Sequence, residues 1–297
     1  LVWSDEIIAA AGIDRDKLPD LVPSTHVAGR VTTEAARLTG LCAGTPVVMG
    51  GGDGLCGTVG AGCVKEGVVY TCLGTSSWVS FATDRPLLDR KKRTFNWAHI
   101  VPGMYCPCGT MQTAGNSVSW LKDEIATSEV EHARRDGVSP YALIGELVAR
   151  SRPGSNGVIF LPYLLGERSP RWNSDAKGSF LGIKMETTRG DIMRSVLEGV
   201  AMNLSIIIDV YREYGYPVRD MLLIGGGAKD DLWCQILADV WDAQIKRLNY
   251  LDEATSIGAA VTAGVGAGLY KDFSVIDRYI TVADTFSPNP LNVSAYQ

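Results

Sequence analysis

The sequence contains no hydrophobic run approaching the roughly 18 apolar residues a membrane span needs, and its first residues lack a basic-then-apolar signal pattern. A cytoplasmic protein with no membrane partner is the expectation. Histidine is scarce: His26, His99 and His132 are the only three, and none stands in an H-E-x-x-H setting. Nor does any serine sit in a G-x-S-x-G elbow, so metalloprotease and hydrolase-triad chemistry find no support. The seven cysteines, Cys42, Cys56, Cys63, Cys72, Cys106, Cys108 and Cys234, form no C-x-x-C pair. A zinc site or a disulfide framework is therefore not expected, and buried reduced thiols are. Positive charge is not concentrated either. The formal net charge is −5, and the short triplet Lys91-Lys92-Arg93 reads as a solvated face, so nucleic acid is not an expected partner.

What is present is a chain of 297 residues, 46% hydrophobic and 21% charged, enough for one large globular domain or two smaller ones. It begins at Leu1 without a methionine, and Val2 to Ala10 already reads as helix closing at Gly12. A piece of a longer protein is expected.

The 33 glycines are concentrated where chemistry is plausible. Gly50, Gly51 and Gly52 follow the apolar run Val47-Val48-Met49, so a short buried strand should deliver Asp53 on a backbone able to lie close to a ligand. A small-residue helix is expected after it. Val68 to Cys72 and Trp78 to Phe81 are β-branched and aromatic, and Leu73-Gly74-Thr75-Ser76-Ser77 between them reads as a hairpin tip offering N–H groups and hydroxyls to a phosphate. Taken singly, each motif is also what an ordinary turn looks like.

Further elements follow in order. Met111 to Ile125 reads as a strand-to-helix transition with Gly115 at the helix start, a position that serves either a ligand phosphate or close packing. Val158 to Leu161 is a strand that runs into Gly166-Glu167-Arg168-Ser169-Pro170-Arg171-Trp172, whose charges serve either an internal Glu167–Arg168 or Glu167–Arg171 pair or contact with a ligand. Thr187-Thr188 should cap the longest helix, which Gly215 closes. Met221 to Ile224, the glycine loop Gly225 to Ala228 and a helix from Asp231 to Val240 form a strand–loop–helix unit. The loop is neither G-x-G-x-x-G nor G-x-x-x-x-G-K-[ST]. A glycine-rich helix from Ser256 to Gly268 comes last. Strands and helices alternate, so the fold class is α/β, and two glycine loops with one carboxylate suit phosphoryl transfer.

Gly178-Ser179-Phe180-Leu181-Gly182-Ile183, seven residues, then Asp191 to Glu198 resembles the signature of the FGGY family of carbohydrate kinases. The order of TPVVMGGGD, LGTSS, LPYLLGERSPRW, LLIGGGAKDDLW and SIGAAVTAGVGAG is similar too, and within the family the xylulokinases are most alike. The resemblance implies an actin-like, ribonuclease-H-like ATPase fold of two domains, represented mainly by the second. It places residues 1–65 in the tail of the first, sugar-binding domain and residues 66–297 in the second, nucleotide-binding domain without its last helix. It further implies ATP and Mg2+, with Asp53 as catalytic base and magnesium ligand. Gly74, Thr75 and Ser76 would form a phosphate hairpin, Gly115 and Ser119 would line the nucleotide, and Gly226, Gly227, Ala228 and Asp231 would hold the adenosine. The acceptor would be a ketopentose such as D-xylulose, or another polyol or ketose such as glycerol, ribulose or a ketohexose. A homodimer is also implied, and this piece alone would be inactive. A non-catalytic actin-like nucleotide-binding module is the alternative class. One departure is Gly54, where xylulokinases commonly carry an asparagine that touches the sugar.

Overall fold

The computed structural model describes residues 2–297; Leu1 lies outside them. In chain order the elements are α1 (Asp5–Ala11), β1 (Val27–Arg30), α2 (Thr33–Thr39), β2 (Pro46–Val48), α3 (Asp53–Gly60), β3 (Val69–Leu73), β4 (Ser77–Phe81), β5 (Phe95–Ala98), β6 (Tyr105–Met111) and α4 (Gly115–Trp120). There follow α5 (Thr127–Asp136), α6 (Pro140–Arg150), β7 (Ile159–Leu161), β8 (Ser179–Leu181), α7 (Arg189–Glu213), β9 (Asp220–Ile224), α8 (Asp231–Trp241), β10 (Gln244–Leu248), α9 (Ala254–Gly266), β11 (Val282–Phe286) and α10 (Pro290–Tyr296).

Seven strands form one mixed sheet in the order β11-β10-β9-β3-β4-β6-β5. Its centre, β10-β9-β3, is parallel, while β3-β4-β6-β5 is antiparallel, with β6 inserted between β4 and the edge strand β5. The side-chain period of two divides each central strand between two helical layers. Val69 and Leu73 of β3 and Met221 and Leu223 of β9 join a core with α7 and α8, whereas Tyr70 and Ile224 face the other side, with Ala61 and Ala254 at the α3 and α9 ends. Both faces of the sheet are thus covered, as its parallel centre requires.

α7 is the central helix. Thr188 caps it in a capping box with Asp191, Gly215 follows it at φ +85°, and most of its residues between Gly190 and Tyr211 are buried. The helix is enclosed by the sheet, α6, α8 and β7 on several sides at once.

β2 pairs only with β1, in a separate two-stranded sheet. Val47 is 47% exposed, so the strand leading to Asp53 is not the buried one expected of its apolar run. Two other expectations need correction. Arg93 is not a solvated residue: its guanidinium pairs with Asp89 at 3.0 Å and Glu213 at 2.6 Å. The cysteines are all free, as expected, but Cys42 is exposed and Cys72 half-buried, with the other five buried. No helix among the described residues is long and apolar enough to cross a membrane.

Candidate active site

Three chain turns meet at one end of the sheet's inner strands. The β3–β4 hairpin tip and the start of α4 are joined directly: Gly74 O accepts the N–H of Gly115 at 2.8 Å, and Thr75 O accepts those of Ala114 and Asn116 at 3.0 and 3.1 Å. A Cβ on Gly115 would stand 2.6 Å from Gly74 O, so close packing accounts for this glycine. The first N–H groups of α4 are consequently committed to the hairpin, and the helix start has no free amides of its own for a phosphate. The third turn, Gly225 to Ala228, leaves β9 beside the same tip. Gly225 has φ +93°, and a Cβ there would lie 2.7 Å from Leu73 O. The N–H groups of Thr75, Ser76, Gly226 and Gly227 have no protein acceptor among the described residues. They form a set of fixed donors of the kind that binds anions.

These turns line a cavity of about 860 Å³. Gly74, Thr75, Gly115, Ser119, Gly226, Gly227 and Asp231 all contribute to it, together with Val118, Tyr141 and Trp233. Ala228 does not: it is fully buried beneath the loop, where its carbonyl accepts from Arg247 and Cys234. Asp231 sits at the start of α8 and is held at 2.6 Å by Arg247, whose other side pairs with Asp284. Tyr141, at the start of α6, lines this cavity because α6 packs on α7 and α5, an arrangement that nothing local in the sequence announces.

Asp53 and Ser76 line a second cavity, of about 420 Å³, on the other side of the same tip. Asp53 is the first residue of α3 and is exposed; its Oδ1 accepts the Gly54 N–H at 2.8 Å, leaving Oδ2 free of protein donors among the described residues. Of the three preceding glycines only Gly50 has a positive φ, +72°. α3 is aimed by its crossing with α9, where Gly60 and Gly258 let backbone meet backbone: a Cβ on either would be driven into the carbonyl of Ala254 or Cys56. Burial pushes the thiol of Cys72, near Asp53, up to about 12, and the Asp53 charge adds to the rise, so Cys72 stays a neutral thiol.

No cluster of three or more metal-ligating side chains exists among the described residues. Mg2+ is nonetheless ordinarily held by one or two carboxylates plus phosphate oxygens, and the free oxygen of Asp53 fits that minimal donor set.

The turn after β7 does not pair its own charges. Glu167 is 4% exposed and makes no ion pair with Arg168 or Arg171. Its Oε1 accepts the N–H groups of Gln112 and Arg168 at 2.9 and 2.8 Å, and its Oε2 accepts Asn203 Nδ2 at 3.0 Å. Burial raises its pKa despite these donors. The signature charges on α7 are likewise structural. Arg194 pairs with Glu198 at 2.5 Å, and Glu198 also accepts from Ser155 and Tyr296, both at 2.7 Å. Asp191 accepts from Ser151, Asn156 and Thr188. None of these three charges lines either cavity.

Comparison with known proteins agrees with this architecture. Residues 69–267 match the FGGY family of carbohydrate kinases, C-terminal domain, and residues 1–60 match the N-terminal domain of that family. The chain is 33% identical over 298 residues to a gluconokinase of Bacillus licheniformis, covering 100% of this chain and 58% of the relative. It is 35% identical over 283 residues to a xylulose kinase of Staphylococcus epidermidis, covering 95% and 55%. The crystal structure of ligand-bound xylulose kinase from Lactobacillus acidophilus superimposes with a TM-score of 0.90 at 25% identity, covering 100% of this chain and 58% of that one. The chain thus spans a little over half the length of the relatives it matches, and its α/β architecture is that of actin-like ATPases. Its sheet, its signature helix and its ordered glycine turns together make it a member of the FGGY family of carbohydrate kinases.

Proposed function

We propose that the protein of which this chain is a part transfers a phosphoryl group from ATP to a hydroxyl of a sugar or polyol, in the cytoplasm. The observation that carries this reading is the pair of cavities meeting at Gly74 to Ser77. The larger is sized and lined for a nucleotide, and the smaller holds the one carboxylate at the junction. Asp231 and the Gly226–Gly227 turn hold the nucleoside end. The free N–H groups of Thr75 and Ser76 receive the phosphates. Asp53 takes the proton of the acceptor hydroxyl as its oxygen attacks the terminal phosphorus, and ADP departs along the larger cavity. Asp53 and the phosphates would hold Mg2+, which would supply charge neutralisation at the phosphate oxygens.

Residues 1–65 are read as the end of the sugar-binding domain and residues 66–297 as the nucleotide-binding domain. The xylulose kinase relatives support a ketopentose such as D-xylulose as acceptor, and the gluconokinase relatives support a sugar acid. A homodimer accords with the family reading.

The test is turnover. Asp53→Asn in the full-length protein is expected to lower kcat by about 10²-fold or more while leaving nucleotide affinity within about twofold. Parental turnover by this variant would remove Asp53 from the base role. Nucleotide binding without transfer to any sugar in a broad panel would favour a non-catalytic nucleotide-binding module.

A further inference from the structure

Asp53 reaches the cleft on a helix that no strand pairing holds in place. β2, which leads into α3, belongs to a separate two-stranded sheet, so backbone pairing does not fix the start of α3 against the β3–β4 hairpin. Among the described residues, the hydrogen bonds that join the first turn of α3 to the main sheet all run through two buried hydroxyls, those of Thr58 and Tyr70.

Thr58, on α3, is 1% exposed and Tyr70, on β3, is 0% exposed. Their oxygens lie 2.7 Å apart, and the indole Nε1 of Trp78, on β4, donates to Tyr70 Oη at 2.7 Å. Gly54 O accepts from Thr58 Oγ1 at 2.9 Å and lies 3.2 Å from Tyr70 Oη. Burial raises the pKa of the Tyr70 phenol, which therefore keeps its hydrogen. Each hydroxyl has one hydrogen to give and the carbonyl has none. Whichever hydroxyl donates to the other, the chain that starts at Trp78 ends on Gly54 O.

Both ends of this chain belong to the smaller cavity. Trp78 walls it, and Gly54 supplies the N–H that holds Asp53 Oδ1. Gly54 is closed in from the β5 side as well, since a Cβ there would lie 2.8 Å from the Trp97 indole. The carboxylate is thus oriented by a residue clamped between Trp97 and the hydroxyl chain. Tyr70 and Trp78 stand on the strands entering and leaving the Gly74 to Ser76 turn, so the chain ties the carboxylate to the N–H donors beside it. A misplacement of about 1 Å can cost about 10²-fold in rate. We propose that Tyr70 and Thr58 are positioning residues, which set Asp53 against the phosphate-binding turn through Gly54. This rests on the phosphoryl-transfer reading of the cleft, in which Asp53 takes the acceptor proton.

The test is steady-state turnover by the full-length protein with ATP and whichever of D-xylulose and D-gluconate it phosphorylates faster. Thr58→Val keeps the side-chain shape and loses the hydroxyl, whereas Thr58→Ser keeps the hydroxyl and loses the methyl. Thr58→Val is expected to lower kcat by about 10- to 100-fold with KM for ATP within about twofold. Thr58→Ser should hold kcat within about threefold of the parent. A packing role predicts the opposite order, because serine leaves the space of the methyl empty. Tyr70→Phe breaks the chain at a second link and should reproduce the loss of Thr58→Val, and the double variant should lose no more than about threefold beyond the worse single one. Parental kcat in either Thr58→Val or Tyr70→Phe would overturn the proposal, as would equal losses in Thr58→Val and Thr58→Ser or a loss confined to KM for ATP. Asp53→Asn, run alongside, separates the two failures. Parental turnover by Asp53→Asn, or none of either acceptor by the parent, removes the underlying reading and the proposal with it. A silent Asp53→Asn beside fully active Thr58→Val and Tyr70→Phe leaves that reading standing and removes the positioning role alone.

Discussion

Asp191 lies in the stretch that most clearly marks the family, yet it reaches neither cavity. Burial opposes its charge, but the donors Ser151, Thr188 and Asn156 outweigh that and hold its pKa at about 2. The guanidinium of Arg93 and neighbouring N–H groups likewise hold Asp89 at about 2. Both groups are depressed from an ordinary carboxylate value near 4, so their stabilisation is complete above about pH 4 and is lost as pH falls toward 2. Asp191→Asn should therefore be less stable at pH 7 by an amount on the order of 2 kcal/mol, and its stability should fall less steeply between pH 4 and 2. Denaturant midpoints across that range would check this; parallel curves for variant and parent would show that Asp191 does not titrate as described. At this scale the sequence is a good guide to which residues matter and a poor one to why. Asp53 was legible because three glycines precede it. The partners of Glu167 were not, because they come from Gln112, 55 positions away, and Asn203, 36 positions away.

The crossing of α3 and α9 sets where Asp53 points, and it depends on two glycines far apart in sequence. Any side chain at Gly258 must displace backbone, which cannot yield as a flexible side chain would. Gly258→Val is expected to cost about 2–3 kcal/mol or more in stability, measured by chemical denaturation, and to reduce turnover even where the fold survives. A variant with parental stability and activity would mean that the two helices are not packed this closely. The sequence showed α9 as glycine-rich and the β3–β4 strands as β-branched, and both elements are present. It did not show β5, β10 or β11. Gln244 to Leu248 mixes polar and apolar residues, and β5 is four residues at the sheet edge, so neither has a period long enough to read.

At the scale of the whole molecule, the larger cavity exists only when turns near residues 75, 115 and 227 are assembled at one end of the central strands. A ligand that binds there stabilises the folded state alone. ATP without Mg2+, at about 100 times its Kd, should add about 2.7 kcal/mol, visible as a rise in Tm, and Asp53→Asn should keep that rise because Asp53 lines the other cavity and meets the nucleotide only through the metal. If the variant lost the shift, the two cavities would not be the separate nucleotide and acceptor sites argued above. Trp97 and Arg168 belong to this scale as well. Neither stands in a stretch with a readable period, and only the packing of β5 and the 166–172 turn beside α3 makes them neighbours of Asp53.

The sequence by itself determined the α/β class, the order of the glycine turns and the candidate carboxylate, because strand and helix periodicity, capping residues and glycine runs are local properties. Tertiary structure alone decided three things. It showed that Gly115 and Gly225 serve backbone packing, that the signature charges of α7 form a buried network, and that an unpaired Arg168 faces the same cavity as Asp53. Each depends on contacts between residues far apart in the chain, whose positions follow from how two helical layers close over one sheet.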